Sequence, residues 1–158
     1  MHILIRRVKT EDLDKIAVLE EKYFSQPWSR EAFGNAALSD DYILLAAEHE
    51  GEIAGYVCSQ ISIYEADIMN IAVKEEYRRM GIATKLIEVL AQESAKRGAE
   101  SIFLEVRLSN EGAIETYKRN GFTEVGTRRN FYEKPAEDAL IMRKGLPGHS
   151  AALYGARI

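Results

Sequence analysis

Ile68-Met69-Asn70-Ile71-Ala72-Val73, followed after a short polar stretch by Arg78-Arg79-Met80-Gly81-Ile82-Ala83, is the passage that decides how this chain folds. The first run is apolar and reads as a strand. The second carries a glycine at the point where a helical period begins. From Ile82, positions Leu86, Ile87, Leu90, Ala91 and Ser94 fall on one helical face, with Lys85, Glu88, Gln92, Glu93 and Lys96 opposite, and Gly98 stops the helix. A strand, a glycine turn and a helix N terminus form an anion cradle, because the first N–H groups of a helix lack intrahelical acceptors and carry the positive end of its dipole. On these six residues alone a simple tight turn with a solvated arginine rim accounts equally well for the pattern. The Walker pattern and the three-glycine dinucleotide fingerprint are both absent.

The length of 158 residues suits one domain with a sizeable core. No apolar run approaches the roughly 18 residues of a membrane span, and the first residues carry no signal-peptide pattern, so a cytoplasmic protein without membrane attachment is expected. Cys58 is the only cysteine, which excludes an internal disulfide and a cysteine metal cage. His2, His49 and His149 are scattered without ligand spacing, so neither a metal nor a histidine triad is expected. The net charge of −4 argues against direct nucleic-acid binding and suits a basic peptide partner.

Working outward, residues 3–8 read as a strand and Thr10 as the cap of a helix running to Phe24. Ser29 caps a short second helix carrying Phe33 and Ala36, with Trp28 leaning back on it. Residues 42–48 and 53–63 read as strands joined by a Glu50-Gly51 turn, and residues 66–73 as the strand before the cradle. Residues 101–108 form a further strand, Asn110 opens a helix that ends at Asn120-Gly121, and residues 122–125 and 139–143 are the last strands. The expected class is mixed α/β, one domain over residues 1–145, with residues 146–158 a flexible tail.

Two side chains stand out as chemistry. Glu105 interrupts an apolar strand, and partial burial of a carboxylate raises its pKa toward that of a base for an amine; an ion pair with Arg107 on the same face is the alternative. Freeing a peptide α-amine of pKa near 8 costs about 1.4 kcal/mol at pH 7, against about 4.6 kcal/mol for a lysine, so an α-amine is the easier acceptor. Tyr117 lies on the Asn110 helix, where its phenol can protonate a departing thiolate; a core tyrosine with its hydroxyl at the edge is the alternative.

The order Arg-x-x-Gly-x-Ala at residues 78–83, with Asn-Glu-Gly-Ala-Ile-Glu-Thr-Tyr-Lys-Arg-Asn-Gly-Phe at residues 110–122, resembles the two signatures of the GNAT superfamily of acyl-CoA-dependent N-acetyltransferases. Phe103-Leu104-Glu105-Val106-Arg107-Leu108-Ser109-Asn110, Asn70-Ile71-Ala72-Val73, Gln26-Pro27-Trp28-Ser29 and Arg128-Arg129-Asn130-Phe131-Tyr132 resemble its ribosomal-protein-alanine (RimI-type) branch, from about Ile5 to Met142. The resemblance implies a mostly antiparallel sheet of about seven strands with about four flanking helices. It implies that acetyl-CoA is the donor, that Glu105 is the general base and Tyr117 the general acid. It further implies that backbone groups of Ile71, Ala72 and Val73 hold the pantetheine arm, that Arg79, Met80, Gly81, Ile82, Ala83 and Thr84 hold the pyrophosphate, and that Asn110 and Arg119 contact the cofactor. The implied acceptor is the N-terminal alanine of the eighteenth small-subunit ribosomal protein. Acetylation of lysines or small amines is the nearest rival, and a non-catalytic acyl-CoA-sensing module the rival of another class. Ala83 replaces a glycine common in the superfamily, and alanine still leaves room for phosphate.

Overall fold

A computed structural model describes residues 2–146; the expected tail lies outside the described residues except for Leu146, which is buried. The chain runs β1 (Leu4–Arg7), α1 (Leu13–Tyr23), α2 (Arg30–Leu38), β2 (Tyr42–His49), β3 (Glu52–Ile61), β4 (Glu65–Val73), α3 (Ile82–Lys96), β5 (Ser101–Arg107), α4 (Glu111–Arg119), β6 (Thr123–Tyr132) and β7 (Glu137–Gly145). The seven strands form one sheet in the order β1-β2-β3-β4-β5-β7-β6. Every neighbouring pair is antiparallel except β4 with β5. The expected sheet and its four flanking helices are therefore present.

Local chemistry explains most boundaries. Glu50 and Gly51 both take positive φ, 49° and 81°, the two-residue turn whose twist matches a hairpin. Ser29 Oγ accepts from the Ala32 N–H at 3.1 Å and starts α2, and Asn110 Oδ1 does the same for α4 from Ala113 at 3.2 Å. Thr10 does not cap α1. It lies in a 3-10 turn, and the carboxylate of Asp12 accepts the Lys9 N–H at 2.7 Å while pairing with Arg6. The last two strands run well beyond the expected 122–125 and 139–143, because β6 is almost entirely exposed and carries no apolar alternation to reveal its length.

Two apolar clusters sandwich the sheet. Ile82, Leu86, Ile87 and Leu90 of α3 pack on Val57, Ile68, Ile102, Leu104 and Met142, with Ala113, Ile114 and Tyr117 of α4 against the same cluster. On the opposite face Leu13, Ile16 and Leu19 of α1 and Phe33 of α2 pack on Leu44, Ala46, Tyr56, Cys58 and Ala72. Burying a Leu, Ile or Phe side chain contributes about 1.5–3 kcal/mol, so both helix pairs are held by a few such residues.

The strand pair at the centre positions the site. β4 and β5 are paired only over Glu65↔Ser101, Ala66↔Ile102 and Asp67↔Phe103, and beyond them the strands part. A register shift between Cys58 and Ser59, opposite Met69, accompanies the divergence. A bulge of this kind adds a residue to one strand and bends it.

Candidate active site

The fork between β4 and β5 leaves one edge of β4 open. Lys74 donates its N–H to the Ala54 carbonyl at 2.8 Å, and backbone groups alternate along a strand, so the amides of Ile71 and Val73 face the fork. Ala72 faces β3 instead and its side chain is buried against α1, so of the three residues expected along this edge two offer free backbone groups. Arg78 donates through Nε to the Val73 carbonyl at 3.0 Å and lies 4.6 Å over the Tyr23 ring. Its side chain thus ties down the strand end while still lining the cavity beside the fork. Among the described residues Arg79 has no such anchor, and it takes a positive φ of 66°, with Gly81 at 77°.

Beside the fork lies a cavity of about 630 Å³, bounded by Ile71 and Val73, by Arg79, Gly81, Ile82, Ala83 and Thr84 at the N terminus of α3, and by Asn110, Tyr117 and Arg119 of the α4 region. Met80 stands outside this wall with its side chain exposed. A Cβ placed on Gly81 would meet nothing within 4 Å, so the turn opens onto free space. Free N–H groups at a helix start, one unanchored arginine and an open turn fit a pyrophosphate, and the cavity beyond them fits an extended acyl chain.

Glu105 reaches the site from the other face of the sheet. Ile102, Leu104 and Val106 of β5 lie under α3, which turns Phe103, Glu105 and Arg107 to the side of α1 and α2. Burial pushes the Glu105 carboxyl above its usual value, with Arg128 opposing and Asp67 adding to the rise. Its ionic partner is Arg128, Nε to Oε1 at 3.3 Å, and not Arg107. Arg107 is occupied by Glu137 at 3.2 Å, by the carbonyls of Pro135 and Glu133 at 2.9 and 3.0 Å, and by the Tyr132 ring at 4.5 Å.

Tyr117 is partly buried against Phe122, ring centroids 5.8 Å apart, and desolvation raises its phenol above the ordinary value of 10. Burial, with the Glu105 charge adding to it, pushes the Tyr132 phenol up to about 12. Cys58 is buried, and its thiol is pushed up to about 12, which keeps it from serving as a nucleophile.

Sequence reasoning passed over a buried carboxylate that supports the site from behind. Glu20, 1% exposed, accepts from the Trp28 N–H at 2.9 Å, the Tyr56 hydroxyl at 2.7 Å and Asn70 Nδ2 at 2.6 Å. It fastens the segment between α1 and α2 to β4 one residue before Ile71. The only sequence signal was an acidic residue on the apolar face of α1.

The family model for the acetyltransferase (GNAT) family matches residues 13–122, which include the β4–α3 unit, the fork and α4. The chain belongs to the acetyltransferase (GNAT) family. This GNAT chain is 36% identical over 140 residues to the [ribosomal protein bS18]-alanine N-acetyltransferase of Escherichia coli K12, covering 87% of itself and 94% of that protein. An N-alpha-acetyltransferase of Sulfurisphaera tokodaii is 31% identical over 152 residues, with 87% and 90% covered. The crystal structure of the ribosomal-protein-S18-alanine N-acetyltransferase from Escherichia coli superimposes with a TM-score of 0.82 at 34% identity, covering 92% of this GNAT chain and 94% of that one. Members of the family use acetyl-CoA as donor, and this chain is an acetyltransferase by membership.

Proposed function

We propose that this acetyltransferase transfers the acetyl group of acetyl-CoA to the α-amine of a protein N terminus, in the cytoplasm, with the N-terminal alanine of the eighteenth small-subunit ribosomal protein as acceptor. The observation that carries the reading is the fork itself. A cavity of about 630 Å³ lies beside the open edge of β4 on the α3 and α4 face, and a half-buried carboxylate, Glu105, lies on the α1 and α2 face of β5 two residues beyond the last position paired with β4. A donor and an acceptor entering from opposite faces are held in line, which supplies a large part of the rate. The likeness to enzymes named for ribosomal-protein alanine supports the choice of acceptor.

In this reading Arg79 and the N–H groups of Gly81, Ile82, Ala83 and Thr84 hold the pyrophosphate, with Met80 supplying backbone only. Ile71 and Val73 orient the pantetheine arm and the thioester through their free amides, and a donor aimed at the carbonyl oxygen stabilises charge that develops during attack. Asn110 and Arg119 hold the cofactor from the α4 side. Glu105 accepts the proton of the incoming ammonium. An ordinary glutamate lies about 3.7 units below an α-amine, roughly 5 kcal/mol uphill, and burial of Glu105 reduces that gap. Tyr117, kept protonated by burial, presents its O–H to the departing sulfur. The amine attacks directly, since Cys58 is inert.

The test is mass spectrometry after incubation with acetyl-CoA and three acceptors: an alanine-starting peptide, its N-blocked lysine-containing twin and a polyamine panel. Acetylation of the first alone is expected. Modification of the blocked peptide or the polyamines in preference to it moves the assignment to a side-chain or small-amine acetyltransferase, and acetyl-CoA binding without transfer to any of them makes the chain a sensing module.

A further inference from the structure

We propose that Asp67 is a positioning residue for the acceptor amine: from the last paired position of β4 its carboxylate stands beside Glu105, so that the ammonium enters between two carboxylates. The proposal rests on the reading of Glu105 as the base.

The placement follows from register and burial. Asp67 is opposite Phe103, and Glu105 is two residues further along β5 on the same face. Ala66 and Ile68 lie in the core beneath α3, as do Ile102 and Leu104, so Asp67 and Glu105 both project to the α1 and α2 side. Asp67 is thus diagonal to Glu105 across the parallel pair just where the strands begin to part, and its charge acts on the Glu105 carboxyl. Both residues are half-buried.

The surrounding charges are unequal. Arg128 from β6 approaches Glu105 at 3.3 Å and acts on Asp67 as well, so a single guanidinium serves both carboxylates. Glu65, on the same strand and face as Asp67, adds a further negative charge. Tyr132 faces Glu105 from β6 but stays neutral, and Arg107 on β5 is paired with Glu137. Asp67 is held above the usual carboxylate range by burial first and by Glu65 next, and Glu105 by burial with Asp67 contributing. An arriving ammonium relieves this deficit of positive charge. One N–H proton of the ammonium passes to the Glu105 carboxylate and from there to solvent, the freed lone pair forms the N–C bond to the thioester carbon, and the C–S bond then breaks; the sulfur leaves as the CoA thiol with the Tyr117 proton, and the second proton lost by the nitrogen restores the phenol. The negative charge of Asp67 favours the protonated form of Glu105 during the transfer.

The experiment compares wild type, Asp67→Asn and Asp67→Glu with a short alanine-starting peptide, reading kcat, KM for each substrate and the pH profile of kcat/KM. Asp67→Asn is expected to raise the peptide KM about threefold or more, to leave the acetyl-CoA KM unchanged, and to move the acid limb to lower pH, because a neighbouring negative charge has been removed. Asp67→Glu keeps the carboxylate and is expected to restore both readouts. An unmoved acid limb and peptide KM in Asp67→Asn overturn the proposal, as does an equal loss toward both substrates that Asp67→Glu does not restore. Glu105→Gln measured alongside separates the two readings. If it retains the acid limb, the base assignment fails. If it loses the limb while Asp67→Asn leaves it in place, the role of Asp67 alone fails.

Discussion

Asn70 Nδ2 lies 2.6 Å from Glu20 Oε2, and this contact joins the first helix to the strand whose open edge faces the fork. Among the described residues Glu20 receives three donors and no cation, and desolvation raises its carboxyl above the ordinary value. Glu20→Ala strands the Trp28 N–H, the Tyr56 hydroxyl and Asn70 Nδ2, each costing about 1–3 kcal/mol if left unpaired. A loss of at least about 3 kcal/mol in denaturant unfolding is expected. Glu20→Gln keeps an acceptor for two donors and an amide that can donate to the Tyr56 oxygen, so about 1 kcal/mol or less is expected. Because the folded pKa exceeds the unfolded one, wild type gains stability as pH falls through the folded value toward 4.5, and Glu20→Gln lacks that gain. Equal losses in the two variants at pH 7 would contradict this account of the network.

The ion pair between Arg128 and Glu105 predicts a pH effect of definite sign. Arg128 lowers the Glu105 pKa, so Arg128→Gln raises it, and the acid limb of kcat/KM moves to higher pH. The shift is opposite to that expected for Asp67→Asn. Glu105→Gln removes the base, and kcat is expected to fall about 10²–10⁴-fold with acetyl-CoA binding unchanged by calorimetry. A limb that stays in place in Arg128→Gln shows that another group titrates in the profile.

Much of this arrangement was legible because its signals are local. The helix period after Gly81, the Glu50-Gly51 turn and the Ser29 and Asn110 caps are all set by residues a few positions apart. The fork was not legible as such, since it depends on a register shift between β3 and β4 and on pairing with β5 that stops after Asp67. Glu20 escaped for the same reason: Trp28, Tyr56 and Asn70 lie 8, 36 and 50 residues further along the chain. Glu105 offered Arg107 as the near neighbour in sequence, whereas its actual partner arrives from β6, an exposed strand whose length the sequence understated.

Tyr117 separates chemistry from packing. Tyr117→Phe retains the ring against Phe122 and should change stability by less than about 1 kcal/mol, while removing the O–H offered to the leaving sulfur. A drop of about 10–100-fold in kcat, with both KM values held, is expected from CoA-thiol release assays. Unchanged kcat returns Tyr117 to the role of a core tyrosine.

Two glycines near the fork should respond differently to the same substitution. A Cβ on Gly55 would sit 2.7 Å from the Ala72 carbonyl oxygen and 3.3 Å from the Val73 Cα, both backbone atoms that can move only if β4 moves. Gly55→Ala is therefore expected to cost about 1–3 kcal/mol as overpacking. It should also displace the Ile71 and Val73 amides, raising the acetyl-CoA KM and lowering kcat together. At Gly81 the Cβ meets no atom, and the cost is the positive φ alone, about 1–2 kcal/mol. Gly81→Ala should thus lose comparable stability while its kcat at saturating acetyl-CoA stays near wild type, because the strand edge that aligns the thioester is untouched. Thermal melts paired with steady-state kinetics distinguish the two, and a Gly55→Ala enzyme with normal kcat would disconnect the β3–β4 contact from the geometry of the fork.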